Sequence, residues 1–326
     1  MISIRVQSGN VIVKTDKAVK DCWIDARDVT QEDIIRLEKE FGILPELLTD
    51  ILDVDEQARI EKEDGYIAII IRLPVLDTAT EIAYFTVPFG IILFPDKIVT
   101  ICQKANDVVL DVAHNKMRGL VMRNQSSFVL NILSRAAFIF LRALKQLNKD
   151  ANQIEQTLQK SVQNKELVQL LSLQKSLVYF ITSIKSNELI LEKMQKLPYL
   201  RLKEEEQDLL EDVIIENIQA MEMASIYSSI LTGTMDAFAS VISNNLNIVM
   251  KSLAIVNIIL MIPTVIYSFY GMNVPLPLQD GNHVTIGIVI FSLLAAFLGV
   301  ILLNLYSGKK IRKLRNAKKR EGLLKN

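Results

Sequence analysis

The chain is poor in cysteine, with only Cys22 and Cys102 among its 326 residues. They stand far apart and form no CxxC pair, which excludes a zinc knuckle and a disulfide scaffold. Both fall on strand-like runs and read as reduced core cysteines of a cytoplasmic domain. Histidine is equally sparse. His114 lies in a polar helix-like stretch and His283 in a loop between apolar runs. Neither has a cysteine or carboxylate at metal-ligand or triad spacing. No Gx4GK[ST] phosphate loop occurs. An enzyme is therefore not expected, nor an organic cofactor. Basic and acidic residues balance at 37 each, so the bulk charge gives no reason to expect a nucleic-acid partner. Residues 1–20 carry Arg5, Lys14, Asp16, Lys17 and Lys20 and lack the apolar core of a secretory signal.

Charge is nearly missing from one long stretch. Between Lys251 and Lys309 the only charged residue is Asp280. Two apolar runs flank it, Leu253–Tyr270 and Val284–Tyr306. Each is close to the ~20 residues a helix needs to cross a ~30 Å hydrocarbon core. The connection Val274–His283 holds two prolines and one glycine and is too short for a domain. The two runs therefore read as an antiparallel pair of membrane spans. After the second come Lys309, Lys310, Arg312, Lys313, Arg315, Lys318, Lys319 and Arg320. Such a cluster belongs on the cytoplasmic side of the cell membrane. Both termini are then cytoplasmic and 271–283 is the outer segment. The tail either holds anionic lipid or takes part in gating.

Lysine and arginine are missing from 204–250, and that stretch holds nine acids from Glu204 to Asp236. Proline is absent from 204–262 and Gly233 is the lone glycine there. A continuous helix over 204–270 would be about 100 Å long. A helix of that length needs partners along its course and reads as a stalk entering the first span. Its acids form either a solvated face or, with several such helices around an axis, a negative funnel that concentrates cations.

What remains is mixed. Ile2–Val6, Val11–Val13 and Cys22–Asp25 read as strands. Thr30 opens a helix with Asp33 as its capping acid, and a second short helix starts near Pro45. Ala58–Lys62 and Tyr66–Pro74 flank Glu63-Asp64-Gly65, a hairpin signal. Glu81–Val87, Gly90–Phe94 and Ile98–Gln103 continue the strand pattern. Ser127–Lys160 and Lys165–Lys196 are long helical segments that pair as a hairpin. The expected class is an α+β multidomain membrane protein. Its parts are a cytoplasmic α/β domain (1–125), a helical hairpin (126–200), a stalk (201–252) and a first span with its terminal loop (253–273). An outer loop (274–283), a second span (284–306) and a basic tail (307–326) follow.

One seam along the stalk is small or polar, interrupted by Met250 and Met261: Asp236, Ser240, Ser243, Asn247, Met250, Ala254, Asn257, Met261, Thr264, Ser268 and Gly271. Polar groups facing lipid are costly, so the seam should face protein or water. Two readings fit. Small residues let helices pack closely. Alternatively, Asn and Thr line an ion path in which methionines form apolar constrictions. One helix supplies one stripe, so a pore needs several copies arranged cyclically.

The first span ends in Tyr270-Gly271-Met272-Asn273, with Pro263 one helical length earlier. With this signature in this place, the chain resembles the CorA family of magnesium transporters over nearly its whole length. The run from Asp50 to Glu61, followed by Asp64, Gly65 and Tyr66, also looks like that family's N-terminal domain. The resemblance implies a homopentamer in the lipid bilayer that carries divalent cations, with Mg²⁺ both transported and regulatory. It implies a selectivity loop at Gly271, Met272 and Asn273 and a polar ring at Asn247. A hydrophobic gate is implied at Met250 and Leu253, and further pore lining at Asn257, Met261 and Thr264. Cytoplasmic Mg²⁺ would be sensed between subunits by Asp50 and Asp212, with Asp236 as another stalk acid. Magnesium-transporting members often carry an acidic loop after the signature, whereas here Asp280 is the only acid. A zinc-transporting branch shares the tripeptide, so Zn²⁺, Co²⁺ or Ni²⁺, with or without proton coupling, is the first alternative. A membrane-anchored binding protein without transport is the second.

Overall fold

The structure is a computed structural model that describes residues 1–9, 11–76, 83–117, 120–160, 164–196, 202–272, 286–299 and 301. The chain divides into two units, Met1–Ala237 and Phe238–Asn326.

The first unit is built on a seven-stranded sheet. Its strands are β1 (Ile2–Ser8), β2 (Val11–Thr15), β3 (Cys22–Arg27), β4 (Arg59–Glu63), β5 (Tyr66–Leu76), β6 (Tyr84–Phe94) and β7 (Lys97–Cys102). The order is β2-β1-β3-β7-β6-β5-β4. Only the β3–β7 pair is parallel; the other five ladders are antiparallel. β5 is buried from Ile69 to Val75 without a break because helices cover both faces of the sheet. Alternate residues go to alternate cores. Ile69, Ile71, Leu73 and Val75 join one, while Ala68 and Ile70 join the other.

α1 (Gln31–Phe41) and α2 (Pro45–Leu52) cover the second face through Leu37, Leu47, Leu48 and Ile51. α1 begins as its sequence dictates. Thr30 accepts from the Asp33 N–H at 3.3 Å, and Asp33 accepts from the Thr30 N–H at 3.1 Å. α3 (Asp107–Ala113), α4 (Gln125–Lys160), α5 (Asn164–Lys196) and the start of α6 (Glu204–Tyr270) cover the first face. α4 and α5 meet through an edge-to-face pair, Phe140 and Phe180, with centroids 5.0 Å apart. α5 also turns a polar line toward the sheet. Asn187 accepts from the Arg72 N–H and donates to the Arg72 carbonyl, both at 2.8 Å. Its amide thus stands in for β4, whose pairing with β5 ends at Arg59↔Ile70.

Two expectations are corrected. The region read as two strands, Glu81–Val87 and Gly90–Phe94, is one strand, β6, in its described part. Pro88 pairs with Arg72 beyond the last β7 pairing, Phe89↔Cys102, so its missing N–H breaks no ladder on that side. Gly90 marks close approach rather than a break. A Cβ there would lie 2.8 Å from Ile51 Cγ1, and Ile51 is itself fully buried. Gly90→Val should therefore cost about 2–3 kcal/mol through overpacking. Thermal unfolding of the full chain checks this, with Ile51→Ala as the variant that restores room. The second correction is α3, which the pattern reading leaves undrawn. Asn106 caps it, accepting from the Val109 N–H at 3.1 Å. His114 is the residue that ends it.

Both cysteines are buried and free. Burial pushes the Cys102 thiol up to about 12, so it stays protonated and unreactive.

The second unit contains the remainder of α6 and an apolar helix, α7 (Ile286–Gly299). α6 runs to Tyr270 as one helix of 67 residues, with Pro263 inside it. Ser292 Oγ of α7 lies 3.0 Å from Tyr267 Oη. A Cβ at Gly299 would lie 3.1 Å from Ile262 Cδ1, so the two helices approach closely there. The loop 274–283 and the tail 307–326 lie outside the described residues, as do the ends of the expected second span.

Candidate functional site

Three described helices are long and apolar enough to cross a membrane: α4, α5 and α6. Burial separates them. α4 has 61% and α5 44% of its most apolar window buried inside the protein, whereas α6 has none. Apolar residues of α4 and the Ile190–Met194 turn of α5 are already used by the first core, and Leu170, Leu173, Leu177, Phe180 and Ile184 of α5 are buried as well. The apolar part of α6 has only α7 as a described neighbour in its own unit, and its lipid-like surface is left bare.

That part of α6 has two distinct sides. Ile255, Ile258, Ile262 and Ile266 are partly covered. The close approach of Ile262 to Gly299 places α7 on that side; Tyr267, about 140° around the helix from Ile262, reaches Ser292 with its long side chain. Asn247, Met250, Leu253, Asn257, Met261 and Thr264 are all exposed. At ~100° per residue Met250, Leu253, Asn257, Met261 and Thr264 lie about 105–175° around the helix from the covered isoleucines, and Asn247 about 65°. The backbone thus leaves the seam free of α7. The hydroxyl of Thr264 donates to the Leu260 carbonyl at 2.7 Å, which orients its lone pairs away from its own helix.

At the end of α6, Gly271 N–H donates to the Tyr267 carbonyl at 2.8 Å and Met272 N–H to that of Phe269 at 3.4 Å. A side chain at Gly271 would press on the Tyr267 carbonyl oxygen, 3.2 Å from its Cβ. Gly271 and Met272 are exposed. Asn273 lies outside the described residues.

The three acids sit in the first unit. Asp50 is in the last turn of α2, and its carboxylate accepts from Arg59 Nη2 at 2.6 Å. Asp212 and Asp236 are exposed on α6. Within one chain, no hydrogen bond or ion pair among the described residues joins Asp50 to Asp212. Nor do the described residues bring three His, Cys, Asp or Glu side chains into a metal-holding group. Carboxylate oxygens are the donor type that a hard divalent cation takes.

Arg59 is the residue that sequence reasoning passed over. It lies within the run from Asp50 to Glu61. Its signal was the alternation Glu56, Arg59, Glu61 around one strand start. Arg72 was missed too. It is buried and donates to the Val54 carbonyl at 2.8 Å and the Thr86 carbonyl at 3.0 Å. Burial pulls its pKa down, while Asp55 and Asp53 pull it up.

Residues 20–310 match the family described as CorA-like Mg²⁺ transporter protein. A cobalt/magnesium transport protein CorA from Methanocaldococcus jannaschii is 29% identical over 257 residues, 77% of this chain and 79% of that protein. One of the same description from Thermotoga maritima is 22% identical over 259 residues, 77% of this chain and 72% of that protein. The complete structure of the CorA magnesium transporter from M. jannaschii superposes with a TM-score of 0.77 at 24% identity. That superposition covers 93% of this chain and 96% of that one, a likeness of fold along nearly the whole length. With the match running from β3 past α7, the chain belongs to the CorA-like Mg²⁺ transporter family.

Proposed function

We propose that this chain forms a membrane channel that admits divalent cations, chiefly Mg²⁺, to the cytoplasm and closes when cytoplasmic Mg²⁺ is high. The observation that carries this reading is the exposed polar seam of α6, turned away from α7. In hydrocarbon such a seam is costly, and several copies around an axis remove the cost by enclosing water. The family resemblance gives the number as five. α6 and the segment that includes α7 are the two spans, with both termini cytoplasmic.

The residues suit a cation that surrenders water reluctantly. Asn257 and Thr264 accept hydrogen bonds from the ion's water shell without offering a charge that would trap it. Gly271, Met272 and Asn273 form the outer mouth, where backbone carbonyls and a neutral amide do the same. Asn247 forms a polar ring at the cytoplasmic side. Met250 and Leu253 narrow the path there and Met261 narrows it within the bilayer, closing it by excluding water. A divalent ion crossing ~100 mV, negative inside, gains about 4.6 kcal/mol, so no nucleotide is needed.

Regulation uses the acids. Mg²⁺ held between Asp50 of one subunit and Asp212 of its neighbour ties the stalks together, with Asp236 as a second acidic position. When Mg²⁺ falls, the acids repel, the stalks shift and the narrowing at Met250 and Leu253 widens.

Ion substitution tests the reading. Purified protein in liposomes under an inside-negative potential should pass Mg²⁺ at least tenfold above empty vesicles, a change of about 1.4 kcal/mol or more in barrier. Zn²⁺ flux without Mg²⁺ flux would assign a different cargo to the same path. Absence of flux for every divalent cation would leave a membrane-anchored binding protein.

A further inference from the structure

Asp50 already has a cationic partner in the single subunit. The Arg59 guanidinium donates to three different carboxylates through three different nitrogens. Nη2 reaches Asp50 at 2.6 Å, Nε reaches Glu61 at 2.7 Å, and Nη1 reaches Glu56. The group is half-wet, with side-chain exposures of 24% for Arg59 and 42% for Asp50. One positive charge faces three negative ones, so the cluster keeps a net charge of −2.

The fold holds the cluster in place from three directions. Arg59 is the first residue of β4 and is fixed by its pairing with Ile70 of β5. Asp50 is carried by α2, whose Leu47, Leu48 and Ile51 are locked in the second core. Glu56 lies in the connection after α2, and that connection is clamped from below. The buried Arg72 takes the carbonyls of Val54 at 2.8 Å and Glu56 at 2.5 Å. Arg59 and its acids therefore meet as a built arrangement rather than by chance contact of long surface side chains.

We propose that Arg59 is an internal counter-cation that competes with the divalent ion for Asp50, and so sets the cytoplasmic concentration at which the regulatory site fills. The proposal rests on the reading of Asp50 as a ligand. A divalent cation must draw Asp50 off one nitrogen of the guanidinium. Glu56 and Glu61 keep the other two nitrogens, so Arg59 stays in place and is ready to take Asp50 back. A rigid fork with separate donors suits this exchange, and a lysine, as a single point charge, does not.

The consequences have a sign. Arg59→Gln releases Asp50 and takes the cluster from −2 to −3, so divalent binding tightens. Glu61→Gln has the opposite effect: it removes a rival acceptor and a negative charge, so Arg59 holds Asp50 harder. Half-exposed charges separated by a few ångströms change an equilibrium by about two- to fivefold.

The test is thermal unfolding of the purified full chain in detergent, titrated with MgCl₂ at constant ionic strength. The concentration of half-maximal stabilisation should fall about two- to fivefold in Arg59→Gln. It should fall less in Arg59→Lys and rise in Glu61→Gln. Asp50→Asn should show no saturable stabilisation. If Asp50→Asn titrates like wild type, Asp50 is no ligand and the regulatory reading itself falls. If Asp50→Asn loses the response while Arg59→Gln titrates at or above the wild-type midpoint, the competition alone is overturned. Should Arg59→Gln fail to fold, Glu61→Gln decides: a midpoint at or below wild type rejects the proposal.

Discussion

Asn273→Ala is expected to reduce Mg²⁺ flux in proteoliposomes to the background of empty vesicles. The size of the effect follows from repetition. A neutral amide that accepts from an ion's water shell contributes about 1 kcal/mol. Around the proposed fivefold axis the same loss occurs five times, so the barrier rises by about 5 kcal/mol, beyond a thousandfold in rate. A carbonyl of the backbone cannot compensate, because alanine leaves the ring with a methyl group where an acceptor stood. The assay needs one control, an elution volume on size exclusion equal to that of wild type. Retention of a tenth or more of wild-type flux, with assembly intact, would remove Asn273 from the pathway.

The second large effect concerns regulation. Asp212 stands exposed on α6 with no described ion pair of its own. Asp212→Ala should leave current high at Mg²⁺ concentrations that close the wild type, because one ligand of the proposed intersubunit ion is gone. Asp212→Lys should do the reverse. A fixed positive charge opposite the neighbour's Asp50 ties the stalks together with or without Mg²⁺, and current stays low and flat. Coupling energies of this kind run to about 1–3 kcal/mol, so the inhibition midpoint should move by more than about fivefold or vanish. Patch-clamp recording with stepped cytoplasmic Mg²⁺ measures it. Wild-type inhibition curves in both variants would show that Asp212 does not sense the ion.

Much of the fold is legible in the sequence because local and tertiary demands agree. The Thr30–Asp33 cap, the Asp64-Gly65 turn and the unbroken pattern from Glu204 to Tyr270 appear where the residues place them. The failures occur where a neighbour decides. Gly90 and Pro88 read as punctuation, yet Ile51 fills the space of a side chain at Gly90 and Pro88 sits past the end of β7. α3 is only seven residues long, too short for a helical period to stand out, and its cap Asn106 is a weak signal by itself. In the site, the α6 seam is visible in periodicity, since one helix carries all of it. The Arg59 cluster is not, since its four members come from α2, a connection and β4. The polar line on α5 blurs its amphipathic pattern for the same reason: Ser183 and Asn187 face the sheet because Thr86 and Arg72 offer them bonds.

The burial of α4 and α5 has a consequence for biogenesis. Either helix, by length and apolarity, would satisfy the machinery that inserts spans into a membrane. The chain leaves the ribosome from its N-terminus, and every strand from β1 to β7 precedes Gln125. A sheet with a vacant apolar face is thus ready before α4 emerges, and docking on it hides the greasy stripe from the insertion machinery. Any delay in closing that sheet lengthens the interval in which α4 is available to the wrong solvent. Quality control of this protein should accordingly be most sensitive to lesions in β5 and β6, far along the chain from any segment meant for lipid.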